Sequence, residues 1–210
     1  MKIATWNING IKARLPVLLR WLREENPDVV CLQEIKSADE NFPALEIEDL
    51  GYNVETHGQK GFNGVAILSK QPFDEVIRRL PGDEADEQAR YLEAVIPFGK
   101  RTVRVVSLYL PNGNPVDTDK YAYKLAWMDR LIAHTKDLLK LEEAFCLMGD
   151  FNVIPTEKDA KHPEQWVNDA LFLPQTRDRF RALVNLGLTD ALRVFDDGEV
   201  FTFWDYQAGA

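Results

Sequence analysis

The residues of this chain that could do chemistry stand where apolar runs end. Ala144-Phe145-Cys146-Leu147-Met148 leads into Gly149-Asp150-Phe151-Asn152, and Val153-Ile154-Pro155 leaves it. A short apolar run bounded by Gly and Pro reads as a buried strand. Strand alternation then sets Asp150 and Asn152 on the same side of the backbone. A carboxylate that takes a proton and an amide that holds a phosphate oxygen suit in-line hydrolysis of a phosphodiester. Asp and Asn are also common turn formers, so four letters alone leave both readings open.

The pattern recurs three more times. Ile3-Ala4-Thr5-Trp6 runs into Asn7-Ile8-Asn9-Gly10, and Val29-Val30-Cys31-Leu32 runs into Gln33-Glu34-Ile35-Lys36. Val105-Val106-Ser107-Leu108 runs into Tyr109-Leu110-Pro111-Asn112-Gly113. Glu34 is a hard oxygen donor suited to Mg²⁺ or Mn²⁺, or else a salt-bridged carboxylate. Tyr109 is a rim phenol or an interior aromatic with a hydroxyl partner. Lys36, one step beyond Glu34 in the strand alternation, either supports that carboxylate, meets a phosphate or is solvated. Strands that all deliver Asn, Glu, Tyr or Asp to one edge make a site.

Other elements must position that edge. Pro16 to Glu25 predicts an amphipathic helix with Leu18, Leu19, Trp21 and Leu22 inward. Glu40 to Leu50 accommodates a shorter one. Tyr52 to Thr56, Val65 to Ser69, Asp74 to Arg79 and Tyr91 to Pro97 read as short strands whose spacing favours antiparallel pairing. Asp117 to Leu141 predicts the longest helix, with Leu125, Met128, Leu131, Ile132 and Leu138 on its apolar face and Asp117 or Thr118 as cap. Arg177 to Leu186 is a further helix, ended by Gly187. Strand runs interleaved with helices fit a sheet-on-sheet core with helices outside.

The chain has 210 residues, 45% of them hydrophobic, enough for one domain, 1–210, with a sizeable core. There is no apolar run long enough to cross a membrane and no leader-like segment after Met1-Lys2. Cys31 and Cys146 sit in apolar runs and read as core thiols of a cytoplasmic protein. The net charge of −9 runs against nucleic-acid binding, although acid is concentrated in stretches such as Glu84 to Glu87. Lys12, Arg14, Lys36, Lys60, Arg90, Lys120, Lys124, Arg177 and Arg181 are near the motifs and could meet phosphates.

Six segments, in order, resemble the exonuclease III family of apurinic/apyrimidinic endonucleases. That family lies within the endonuclease/exonuclease/phosphatase superfamily, which also holds DNase I. The segments are Trp6-Asn7-Ile8-Asn9-Gly10, Leu32-Gln33-Glu34-Ile35-Lys36, Gly61 to Ser69, Tyr109 to Gly113, Gly149 to Asn152 and Thr202-Phe203-Trp204-Asp205-Tyr206. The resemblance implies a DNase I-like α/β fold, a four-layer α/β/β/α sandwich of two mainly antiparallel sheets. It also implies an Arg-x-Asp strand and a closing Ser-Asp-His segment, which have no counterpart before Gln207-Ala208-Gly209-Ala210. The expectation is a domain lacking its last C-terminal strands and its catalytic histidine. None of His57, His134 and His162 falls in a motif.

The roles implied are these. Glu34, Asn7, Asp150 and Asn152 bind the metal, Mg²⁺ with Mn²⁺ able to substitute, and Asp150, Tyr109 and Asn152 are catalytic. Asn112, Lys36, Asn9, Asn63 and Arg90 meet phosphate or DNA, while Trp204 and Leu192 line a pocket for a base-less sugar. The implied activity is cleavage of the backbone 5′ to abasic sites, with 3′ to 5′ exonuclease and 3′-end cleaning, by a monomer acting on double-stranded DNA. Two other readings stay open: a superfamily phosphatase or phosphodiesterase on a non-DNA substrate, and an inactive fragment that binds metal and DNA weakly.

Overall fold

A computed structural model of the protein describes residues 1–196 and 198–202. The chain divides into two compact units, Met1–Leu110 with Asp137–Phe151, and Pro111–Lys136 with Asn152–Ala210.

The first unit contains both sheets. One has the order β1-β2-β4-β3, made of β1 (Ile3–Asn7), β2 (Val29–Gln33), β3 (Asn53–His57) and β4 (Val65–Ser69). The other has the order β5-β6-β7-β8, made of β5 (Glu75–Arg78), β6 (Tyr91–Phe98), β7 (Arg101–Tyr109) and β8 (Phe145–Asp150). Pairing is antiparallel except for β1 with β2 and β7 with β8. These two parallel pairs bring four strand exits to one rim, with Asn7 opposite Gln33 and Tyr109 opposite Asp150.

Alternation decides what lies between the sheets. Val29 and Cys31 of β2, with Val65 and Ile67 of β4, meet Leu92, Ala94 and Ile96 of β6 and Val105 of β7. The opposite faces of β2 and β4 carry Val30, Leu32, Ala66 and Leu68 toward α1 (Ile11–Glu25) and α2 (Ala44–Glu48). A buried polar tie crosses the apolar gap near the rim. Gln33 donates to Ser107 Oγ at 3.2 Å, and Ser107 donates to the Leu32 carbonyl at 3.1 Å. Buried and satisfied, it fixes the register of β2 against β7 immediately below Glu34 and Tyr109.

The helix α1 starts five residues before the expected Pro16. Pro16 falls early in it, and burial of Ile11, Leu18 and Leu22 holds the turn that its missing N–H weakens. Leu19 and Trp21 pack half-buried beside them, as expected.

The helix α3 (Asp119–Lys140), whose residues up to Lys136 belong to the second unit, begins after Thr118, whose hydroxyl accepts from the Lys120 N–H at 3.3 Å. Its buried positions include Lys124, Trp127, Met128, Leu131 and Thr135. Leu125 and Ile132, expected on that face, are half-buried. The next helix, α4 (Pro174–Val184), opens three residues earlier than expected because Pro174 supplies its first turn. A short α5 (Ala191–Phe195) was unanticipated; Asp190 caps it by accepting from the Leu192 and Arg193 N–H groups. That cap was the available signal.

The second sheet carries a buried ionic cluster. Arg104 donates to Glu93 at 2.5 Å, Glu143 at 3.0 Å and Glu75 at 3.2 Å. Tyr91 donates to the other oxygen of Glu93, which is 1% exposed. Arg104→Met leaves that carboxylate without its cation. The expected loss in urea denaturation is about 3–5 kcal/mol, the scale of a broken buried pair; an unchanged midpoint contradicts it.

Candidate active site

The exits of the first unit's strands stay laced after the strands end. Ile8 N–H donates to Gln33 O at 3.0 Å, Gly10 N–H to Glu34 O at 2.7 Å, and Lys36 N–H to Asn63 O at 3.0 Å. Tyr109 N–H donates to Arg90 O at 2.8 Å, and Leu110 N–H to Asp150 O at 2.9 Å. The rim is therefore ordered backbone, although its residues leave β geometry. Asn9, Glu34, Lys36 and Asn63 all have φ between 47° and 53°. For Glu34 and Lys36 that costs about 1–2 kcal/mol each, held by these bonds. The alternation expected beyond the strands fails for this reason. Glu34 and Lys36 meet because both turn left-handed, and Asn152 lies past the end of β8.

Asn7 is the centre. Its amide donates to Glu34 Oε1 at 2.9 Å and to Asp150 Oδ2 at 2.8 Å. Its own oxygen accepts from the Asn9 N–H at 3.1 Å, which fixes the side chain's orientation. Lys36 Nζ stands 3.0 Å from Glu34 Oε2 and also donates to Asn9 Oδ1. Two carboxylates from different sheets thus share one amide, with a lysine on the far side of the first.

Burial is the largest influence on Glu34 and raises its pKa. The hydrogen bonds from Asn7 and Lys36, the Lys36 charge and a hydrogen bond from Tyr109 outweigh it, so Glu34 lies below its ordinary 4.5. Tyr109 moves far up, first by burial and then by the negative charge of Glu34. It is a neutral phenol that donates. Arg90 covers its ring at 4.9 Å from the centroid and is steadied by Gln88 at 2.7 Å.

Gly149 explains the first letter of the Gly-Asp-Phe-Asn stretch. At φ +147° a Cβ there would collide with the Leu108 carbonyl of β7. Only glycine lets β8 approach closely enough to present Asp150.

Asn63 is buried, its amide donating to Gln59 Oε1 at 2.9 Å. Its side chain braces the loop, and Gln59 and Gln88 are supporting residues that the motif reading passed over. In the second unit, Asn112 donates to Asn152 Oδ1 at 3.3 Å. Leu192 lies on α5 at 36% exposure, and Trp204 lies outside the described residues. Two expected phosphate cations are otherwise engaged. Lys124 is fully buried, and Arg177 sits over the Phe172 ring while donating to Pro155 O at 3.0 Å. His57 is held against Tyr91 O at 3.1 Å, and His162 is on the surface beside Glu164.

The donor set fits a small hard cation. Among the described residues no three His, Cys, Asp or Glu side chains cluster as metal ligands. A cation beside Glu34 and Asp150 would draw on two carboxylates and leave other positions to water and substrate oxygens. That is the habit of Mg²⁺ rather than of closed Zn²⁺ sites.

Comparison with known proteins identifies the family and the fold. The Endonuclease/Exonuclease/phosphatase family profile matches residues 4–209, and the chain belongs to that family. It is 33% identical to exodeoxyribonuclease III of Haemophilus influenzae over 220 residues, spanning 99% of this chain and 81% of that protein. An AP endonuclease from Archaeoglobus fulgidus superposes with a TM-score of 0.92 at 34% identity, covering 99% of this chain and 79% of that one. A 3′ phosphatase from Neisseria, bound to a product DNA hairpin, gives 0.91 at 34% identity, covering 100% and 80%. The class is that of the hydrolytic nucleases, and the two mixed sheets with their helices are the fold of these AP endonuclease neighbours.

The depressed Glu34 makes a pH prediction. A carboxylate lowered by folding contributes stability that is complete above its ordinary value of 4.5 and is lost as pH falls through its folded value. The stability gap between the protein and Glu34→Gln is expected to narrow in acid-limb denaturation below that value. A gap that widens there contradicts the assignment.

Proposed function

We propose that the chain is a divalent-metal-dependent phosphodiesterase of DNA repair, cleaving the backbone 5′ to abasic sites and processing 3′ ends. The observation that carries this reading is the Asn7 bridge, which sets two carboxylates from different sheets beside each other with a lysine next to one. The names of the relatives support the substrate: exodeoxyribonuclease III, an AP endonuclease and a 3′ phosphatase with a product DNA hairpin. We take 1–210 as one such domain because the family match runs through both units.

Glu34 and Asp150 are assigned to hold Mg²⁺, and Mn²⁺ by the same hard-oxygen chemistry, with Asn7 supporting the metal site through its hydrogen bonds to both. Bound there, the cation would neutralise charge on the scissile phosphate. Asp150 takes a proton from the attacking water, and the Asn7 amide orients its carboxylate for that task. Tyr109 stays protonated and gives a hydrogen bond rather than acting as a nucleophile. Lys36, Arg90 and Asn9 supply the positive and polar groups of the rim, and Asn63 shapes its loop. Asn112 and Asn152 are assigned to phosphate, Asn152 also to the metal, and Leu192 with Trp204 to the base-less sugar.

We further propose a monomer in the cytoplasm, where Cys31 and Cys146 persist as the free thiols seen here. Among the described residues no helix is long and apolar enough to cross a membrane.

The test is a duplex oligonucleotide with one abasic-site analogue, incubated with the 210-residue chain in Mg²⁺ and in EDTA. Nicking 5′ to the lesion is expected in Mg²⁺ alone. Asp150→Asn and Glu34→Ala are each expected to slow it by about 10²–10⁴-fold. No nicking by a folded sample overturns the activity, and full turnover in either variant overturns the residue assignment.

A further inference from the structure

The second unit buries a charge that the chemistry above does not use. Lys124 lies on α3 and is 0% exposed. Its ammonium donates to the Pro111 carbonyl at 3.0 Å and to the Asn152 carbonyl at 2.6 Å. Pro111 directly precedes Asn112, whose amide donates to Asn152 Oδ1 at 3.3 Å. One cation therefore grips the backbone at both members of the amide pair.

The seat is closely built. A Cβ added to Gly113 would stand 2.6 Å from Lys124 Cδ and 3.1 Å from Ala170 Cβ, and φ there is +89°. Asn152 is left-handed at φ 45°, and its carbonyl accepts the shorter of the two bonds. Taking an ammonium out of water costs several kcal/mol, and an apolar side chain of similar volume would fill the space without that cost. Packing alone does not explain a lysine here. Orientation of two carbonyls does, since a flexible stem with three donors can serve both.

We propose that Lys124 is the positioning residue of the Asn112–Asn152 pair, holding both amides in one geometry and adding positive potential for the anion they receive. The second half rests on the assignment of that pair to phosphate; the first does not.

The primary test needs no variant. In the isotopically labelled chain, the Lys124 ammonium is expected to exchange slowly and to show hydrogen-bond couplings to the Pro111 and Asn152 carbonyl carbons. Exchange as fast as that of Lys140, whose side chain is 74% exposed, overturns the proposal. In Lys124→Met the side-chain amide signals of Asn112 and Asn152 are expected to shift while those of Asn7 stay. Unmoved signals in the folded variant also overturn it. Affinity for a duplex with one tetrahydrofuran abasic analogue, measured in EDTA, is expected to fall about 10–100-fold, as when other orienting partners are lost. Shifted amides with unchanged affinity support the positioning role and remove the phosphate assignment alone.

Discussion

Two carboxylates from two different sheets share one amide, and much of the first unit serves to make that possible. Glu34 and Asp150 are like charges that would separate if left to themselves. Asn7 donates one proton to each, and its own oxygen is fixed by the backbone of Asn9. The two parallel strand pairs bring these exits to the same rim, and the Gln33–Ser107 tie holds the sheets in register just beneath. A slip of one residue in either pair would turn Asn7 or Asp150 away and leave the other carboxylate with no partner of this kind.

Electrostatics at the rim is graded rather than uniformly acidic. Lys36 stands beside Glu34, and Arg90 covers Tyr109, so cations stand among the acidic groups of the rim in a chain of net charge −9. The phenol of Tyr109 is kept neutral by burial and by the adjacent carboxylate, which suits it to donate. Left-handed backbone at Glu34 and Lys36 is the local cost of aiming two charged side chains at each other. The rim's backbone hydrogen bonds offset it.

Most elements were legible in the sequence because their apolar runs are short, clean and bounded by turn residues. Val65–Ser69 coincides with β4, and Tyr91–Phe98 extends the expected strand by one residue. Discrepancies arose where tertiary burial overrides a local breaker, as when α1 runs through Pro16, or where a short helix rests on a single cap, as at Asp190. Among the candidate site residues, Asn7, Glu34, Tyr109 and Asp150 stand out by their position at strand ends, and the fold brings them together. Lys124 was misread. A lysine between Tyr123 and Leu125 looks solvated in any local window, and the two carbonyls that capture it lie at Pro111 and Asn152.

The sequence by itself determined the strands, the polar residue types at their ends and the glycine without which β8 could not approach β7. Those follow from periodicity, from side-chain chemistry and from the close approach that only glycine permits. The tertiary structure alone decided which of these groups hydrogen-bond to each other, which cation is buried and which way each side chain turns after its strand ends. Such outcomes depend on hydrogen bonds between residues distant in sequence, 143 positions apart for Asn7 and Asp150, and no local pattern encodes them.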